Sequence, residues 1–111
     1  MGLTQEARAW QALGDATRRR IFERLARRRL AVFELARELP VSRPAVSQHL
    51  KVLMRAGLVT AARQGRRRLY GVEPKGVAMM RRYLDRLWED ALVSFKAFAE
   101  NEESDKEKHD A

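Results

Sequence analysis

The sequence predicts a mainly α-helical fold with one β-hairpin, its elements in the order ααααββα. Three observations point to it. Apolar residues return every three or four positions through four segments before residue 57 and one long segment after residue 74, the period of amphipathic helices. Between them, "LVTAAR" and "RRLYGV" flank "QGR", and a glycine able to take positive φ between two extended runs is a hairpin pattern. Breakers stand where the helices would have to end, at Gly14, Pro40 and Gly57.

Each element has a local reason. Leu3, Ala7, Trp10 and Leu13 recur at helical spacing, and Gly14 breaks the chain before Asp15, a suitable N-cap for a second helix. That helix, "ATRRRIFERLARRR", sets Ile21, Phe22, Leu25 and Ala26 on one side and arginines over the rest. A short third helix, "VFELAREL", offers Phe33, Leu35, Ala36 and Leu39 for burial and ends before Pro40. Ser42 is placed to cap a fourth helix whose Pro44 sits in the first turn, where a missing N–H breaks no bond. Val46, Leu50 and Leu53 form its core side. After the hairpin, closed by Pro74, a final helix over about 75–98 carries Val77, Met80, Leu84, Leu87, Ala91 and Phe98, widened by Trp88, Leu92 and Phe95.

Length and charge limit what this chain does. With 111 residues it holds one domain, assigned to residues 1–99. Residues 100–111, "ENEESDKEKHDA", lack apolar periodicity and are expected to form an acidic, disordered tail. The formal charge is +8, but residues 1–99 hold 21 basic and 9 acidic side chains, a balance of +12, which suits a polyanion. Arginine supplies 18 of the 23 cations, and GC-rich coding inflates arginine by itself, so charge needs support from arrangement. No apolar run approaches the roughly 20 residues of a membrane span, and the start lacks the apolar core of a secretory signal; a cytoplasmic protein with no membrane partner is expected. With no cysteine there is no disulfide, thiolate metal site or thiol switch.

The fourth helix supplies that arrangement. Pro44, Gln48, Lys51 and Arg55 lie opposite its core side, with Ala45 and Ser47 beside them, a surface of small, amide and cationic groups without one carboxylate. A short helix, a tight turn and such a helix make a helix-turn-helix, and a basic hairpin directly after makes it winged. The major groove of DNA admits one α-helix and presents base edges to short polar side chains. An arginine-rich hairpin tip can reach flanking phosphates or the minor groove.

Three blocks, "LGDATRRRIFERLARR", "ELARELPVSRPAVSQHLKVLMRAGLV" and "RQGRRRLYGVEP", resemble the ArsR-type (arsenic-repressor-like) winged helix-turn-helix transcription regulators over about residues 8–75. The resemblance implies a homodimer that represses by occupying a pseudo-palindromic operator on double-stranded DNA. It gives Ser42, Arg43, Pro44, Ala45, Ser47, Gln48 and Lys51 the recognition-helix role and Arg66, Arg67 and Arg68 the wing role. It also implies a dimer interface on the terminal helices. Their apolar stripes, too large for a small helical core to cover, nominate Leu3, Ala7, Trp10, Met80, Leu84, Leu87, Trp88 and Ala91. The chain departs from the metal-sensing members, having no cysteine pair in the third helix and only Asp85, Glu89 and Asp90, without histidine, along the last; no metal site and no cofactor are expected. The effector is not specified by the sequence.

Two other classes of function fit the sequence less well. An enzyme needs a nucleophile–base pair or converging carboxylates, and the acidic residues here are scattered over arginine-rich surfaces, so no catalytic residue is assigned. A winged helix can also bind RNA or a protein partner, since fold does not fix function; the carboxylate-free face of the fourth helix favours a groove.

Overall fold

The computed structural model describes residues 2–110, with side chains through residue 106. Its elements are α1 (Gln5–Ala12), α2 (Ala16–Arg27), α3 (Val32–Glu38), α4 (Arg43–Arg55), β1 (Val59–Gln64), β2 (Arg67–Val72) and α5 (Pro74–Asp110), the expected order ααααββα. They divide into two compact units, Met1–Met80 and Arg81–Ala111.

In the first unit the helix starts are chemically specified. Thr4, Asp15 and Ser42 each accept a backbone N–H three residues on with the side-chain oxygen, satisfying a donor that the first turn leaves open. Ala31, which precedes α3, has no such oxygen; Glu34 reaches back instead and accepts the Ala31 N–H at 3.0 Å. The last turn of α1 has no basic residue of its own. Two α2 arginines serve it, Arg18 Nε donating to the Ala12 carbonyl at 2.8 Å and Arg19 Nε to that of Leu13 at 3.0 Å. Arg24 and Arg28 both pair with Glu38, so part of the arginine surplus is structural.

The core gathers Ile21 and Leu25 of α2, Leu35 of α3, Val46, Leu50 and Leu53 of α4, and Leu30 and Leu58 from the connections. Burial of side chains of this size stabilises by about 1.5–3 kcal/mol each. Ala26 is exposed and Phe22 half-buried, so α2 buries a narrower stripe than its pattern suggested. Phe33, also expected inside, remains 38% exposed.

β1 and β2 pair antiparallel from Val59↔Val72 to Gln64↔Arg67. Gly65 opens the two-residue turn at φ 66° and Arg66 follows at negative φ, the pattern of a type II′ turn. Leu30 joins the edge of β2, exchanging backbone hydrogen bonds with Tyr70 at 3.0 and 2.8 Å, which anchors the hairpin to the α2–α3 connection. Pro74, read as closing the second strand, instead opens α5, where its absent N–H costs nothing. Gly76 in that turn lies against the turn that follows α4: a Cβ there would stand 2.1 Å from the Gly57 carbonyl oxygen.

Met80 was assigned to the dimer stripe, but it is 7% exposed and belongs to the core cluster of the first unit. The close seating of the first turn of α5 carries it inward.

The second unit is α5 from Arg81 onward. Leu84, Trp88, Leu92, Phe95 and Phe98 follow one another at three- and four-residue steps with Leu87 beside Trp88, all exposed, from 46% for Leu87 to 69% for Phe95. The helix runs on to Asp110, which differs from the disordered tail expected over 100–111; Ala111 lies outside the described residues. No glycine or proline follows Gly76, alanine, glutamate and lysine are strong helix formers, and Glu102 precedes Lys106 at the favourable i, i+4 spacing. Lack of an apolar stripe removes a reason to pack, not a reason to be helical.

Candidate nucleic-acid interface

The outer face of α4 begins at its cap. Ser42 Oγ accepts the Ala45 N–H at 3.3 Å, and no acidic side chain occupies the first turn, so the positive end of the helix dipole is uncompensated by charge. Ser42, Arg43, Pro44, Gln48 and Lys51 are exposed and Ala45 and Ser47 half-buried. From Pro44 to Arg55 the strip is about 16 Å long at 1.5 Å per residue. It can offer hydroxyl and amide groups to base edges and two cations to phosphates.

Strand register sorts the wing arginines. Side chains alternate across a strand, and directly paired residues of an antiparallel ladder share a face. Arg63 is paired with Arg68 and Ala61 with Tyr70, so these four point one way. Arg67 points the other way with Leu69, which is buried.

The Arg68 side faces α4. Arg68 lies over the Tyr70 ring at 5.5 Å, and with Tyr70 it lines a cleft of about 500 Å³ whose α4 wall is Ser47, Lys51, Met54 and Arg55. A cleft walled by a polar helix face and by arginines of a hairpin, without a carboxylate in its lining, is complementary to a phosphodiester strand. Arg63 and Arg68 sit directly opposite on the ladder, where like charges repel; an anion between them would relieve this.

Arg67 is otherwise engaged. Its guanidinium pairs with the Glu34 carboxylate of α3 and stands 5.7 Å from the Phe33 ring centre, which Arg37 also approaches at 5.8 Å. This accounts for the exposure of Phe33, whose ring lies beside two cations. Glu34 is held below the ordinary carboxylate range chiefly by the Ala31 N–H, which outweighs the opposing cost of desolvation, with the Arg67 charge and its hydrogen bond adding to the lowering. The three arginines nominated together thus part company: Arg66 is exposed at the turn, Arg68 faces the cleft, and Arg67 ties the wing to α3.

Tyr70, Met54, Arg55 and Arg63 were not nominated. Pairing counted outward on both sides of a two-residue turn at Gly65 and Arg66 would have joined Arg63, Arg68 and Tyr70, while the α4 residues follow Lys51 by three and four positions. His49 is half-buried, and its charge adds, after the Arg18 N–H and the Arg18 charge, to the lowering of the Asp15 carboxyl at the start of α2.

Among the described residues no group of three or more histidine, cysteine, aspartate or glutamate side chains is placed to hold a metal ion, and no helix is long and apolar enough to cross a membrane. Of the nominated interface residues, Leu84, Leu87, Trp88 and Ala91 are exposed on α5 and Leu3 is exposed before α1, whereas Ala7 and Trp10 are half-buried.

Comparison with known proteins agrees with this geometry. The profile described as "Bacterial regulatory protein, arsR family" matches residues 15–61, from the cap of α2 into β1. The chain is 57% identical to the HTH-type transcriptional regulator Rv2034 of Mycobacterium tuberculosis over 98 residues, covering 88% of this chain and 92% of that one. Among solved structures, an ArsR-like transcriptional regulator from Rhodococcus sp. RHA1 superposes with a TM-score of 0.73 at 34% identity, covering 86% of this chain and 92% of that one. A homodimeric winged helix-turn-helix DNA-binding domain from Mycobacterium bovis gives 0.63 at 30% identity, covering 79% and 82%. With a winged helix-turn-helix whose carboxylate-free helix and basic hairpin share one cleft, and with relatives this similar over most of its length, the chain belongs to the ArsR family of DNA-binding transcriptional regulators.

Proposed function

We propose that the protein is a homodimeric repressor of a pseudo-palindromic operator, with α4 of each protomer in a major groove and each hairpin on the flanking backbone. One observation carries the reading: Ser47, Lys51 and Arg55 of α4 share a cleft with Arg68 and Tyr70 of β2, so groove-reading and backbone-holding groups face a single strand. In this reading Ser47 and Gln48 contact base edges, Ser42, Pro44 and Ala45 set the approach of the helix start, and Arg43, Lys51, Arg55, Arg66 and Arg68 hold phosphates. Arg67 acts indirectly by positioning the wing.

The dimer is supported by the exposed stripe of α5 at Leu84, Leu87, Trp88 and Ala91 and by the homodimeric state of the similar M. bovis domain. Leu3, Ala7 and Trp10 of the α1 region are its second proposed contribution. Two α4 helices related by a twofold axis would span successive major grooves about 34 Å apart. Release is proposed not to depend on transition metals or thiol chemistry, because the chain has no cysteine for a thiolate site and no histidine near Asp85, Glu89 and Asp90 for an imidazole–carboxylate site.

Gel-shift titration on the DNA upstream of its own gene, against scrambled duplex at matched salt, tests this together with sedimentation of Leu84→Glu. Operator preference lost along with the dimer supports the reading. A monomeric wild-type protein, equal affinity for both duplexes, or saturable release by zinc, nickel, arsenite or peroxide contradicts it.

A further inference from the structure

A second cavity, of about 430 Å³, opens on the first unit and is lined by Leu3, Arg8, Ala12, Arg18, Val52 and Arg55 among others. Its size falls in the range of small-molecule sites. Its chemistry is two-sided, since Leu3 and Val52 offer apolar surface while Arg8, Arg18 and Arg55 stand in the lining with no carboxylate among its residues. Arginine is the side chain best shaped for planar, bidentate contact with an oxyanion.

The three arginines differ in readiness. Arg18 is fixed, its Nε donating to the Ala12 carbonyl at 2.8 Å and one terminal nitrogen standing 4.0 Å from the Asp15 carboxylate; its side chain is 20% exposed. Arg8 and Arg55 are exposed, and among the described residues neither forms an ion pair. Gln11, also in the lining, adds a neutral amide. One anchored cation, two adaptable ones and an apolar wall fit a small amphipathic anion better than a bare inorganic one, which would leave the apolar surface wet.

We propose that this cavity binds a small carboxylate with an apolar body, and that occupancy weakens DNA binding through Arg55. Arg55 lines both this cavity and the cleft shared by α4 and the wing, so one guanidinium serves either the carboxylate or a phosphate. Coupling of this kind is reciprocal: the factor by which the anion weakens DNA binding is the factor by which DNA weakens anion binding. The coupling rests on the DNA-binding reading above, whereas the site itself does not.

Calorimetric titration of octanoate into the full chain without DNA tests the site. One octanoate per protomer is expected, with 1-octanol and inorganic phosphate each binding at least about tenfold more weakly, since each lacks one half of the recognition. Arg8→Gln, which removes one cation, and Gln11→Glu, which adds a carboxylate to the lining, should each weaken octanoate about tenfold while leaving duplex affinity in its absence unchanged for Arg8→Gln. Absence of saturable heat, or octanoate binding untouched by both substitutions, overturns the site. Arg8→Gln weakening all duplexes with a shallower salt dependence would make the cavity a contact for the DNA backbone and overturn it as well. Repeating the DNA titration at saturating octanoate tests the coupling: weaker binding supports it, and equal binding refutes the role of Arg55 while leaving the site standing. A chain that takes up octanoate yet prefers no duplex would contradict the repressor reading alone.

Discussion

Arg67→Ala and Arg68→Ala should have different effects on DNA binding although the two residues are neighbours. Arg68 shares the cleft with α4, whereas Arg67 is turned to α3 and its charge is matched by Glu34. Each phosphate neutralised by the protein contributes about −0.9 to the slope of log affinity against log salt. Between about 50 and 200 mM salt that is about 3.5-fold in affinity per contact. Arg68→Ala should therefore flatten the slope by about 0.9, and Arg67→Ala by less than half as much. Glu34→Gln should act in the opposite sense: the amide still accepts the Ala31 N–H, but Arg67 loses its counter-charge and becomes available, steepening the slope by up to about 0.9. Fluorescence anisotropy on one labelled scrambled duplex at four salt concentrations measures all three. Equal flattening by Arg67→Ala and Arg68→Ala, or a slope unmoved by Glu34→Gln, would refute the division of the wing into two faces.

Other substitutions address sequence reading, packing and acid stability. Gln48→Ala and Ser47→Ala should each reduce discrimination between operator and scrambled duplex by about 1–3 kcal/mol, seen as a loss on operator alone; equal losses on both would deny base contact. Gly76→Ala, although alanine is the better helix former, should destabilise by about 1–3 kcal/mol through overpacking, because its Cβ would meet a backbone oxygen at 2.1 Å; the urea midpoint should fall with an unchanged m value. The Asp15 carboxyl is held below its ordinary 3.8, chiefly by the Arg18 N–H. Its contribution is thus present above the ordinary carboxylate range and lost as pH falls through the folded value. Asp15→Asn keeps a capping oxygen and should flatten the acid limb of stability, leaving neutral pH little changed.

What the sequence disclosed was what local rules govern. Asp15 and Ser42 were legible as caps because a short polar side chain before an apolar period has few other uses, and Val46, Leu50 and Leu53 because thirteen residues of α4 are long enough for the period to declare itself. Phe33 was misplaced because α3 has only seven residues, too few to fix a face, and its surroundings are set by Arg67 from far along the chain. The arginine run 66–68 read as one patch since adjacency in sequence hides alternation across a strand. Met80 joined the wrong group because the seating of α5 depends on Gly76 against Gly57, a contact between turns with no periodic signal. Segment 100–110 was judged on apolar content when intrinsic propensity decides an exposed helix. The shared placement of Arg55 between two cavities depends on α1, α4 and β2 meeting in space, and no local pattern encodes that.

Selection of bound duplexes from a random pool by the purified protein tests the central proposal most directly, because it assumes no genomic site. The expected product is an inverted repeat whose half-site centres lie about one helical turn, 10–10.5 base pairs, apart, bound by two protomers. Enrichment of an asymmetric motif bound by one protomer, or of no motif at all, would contradict it.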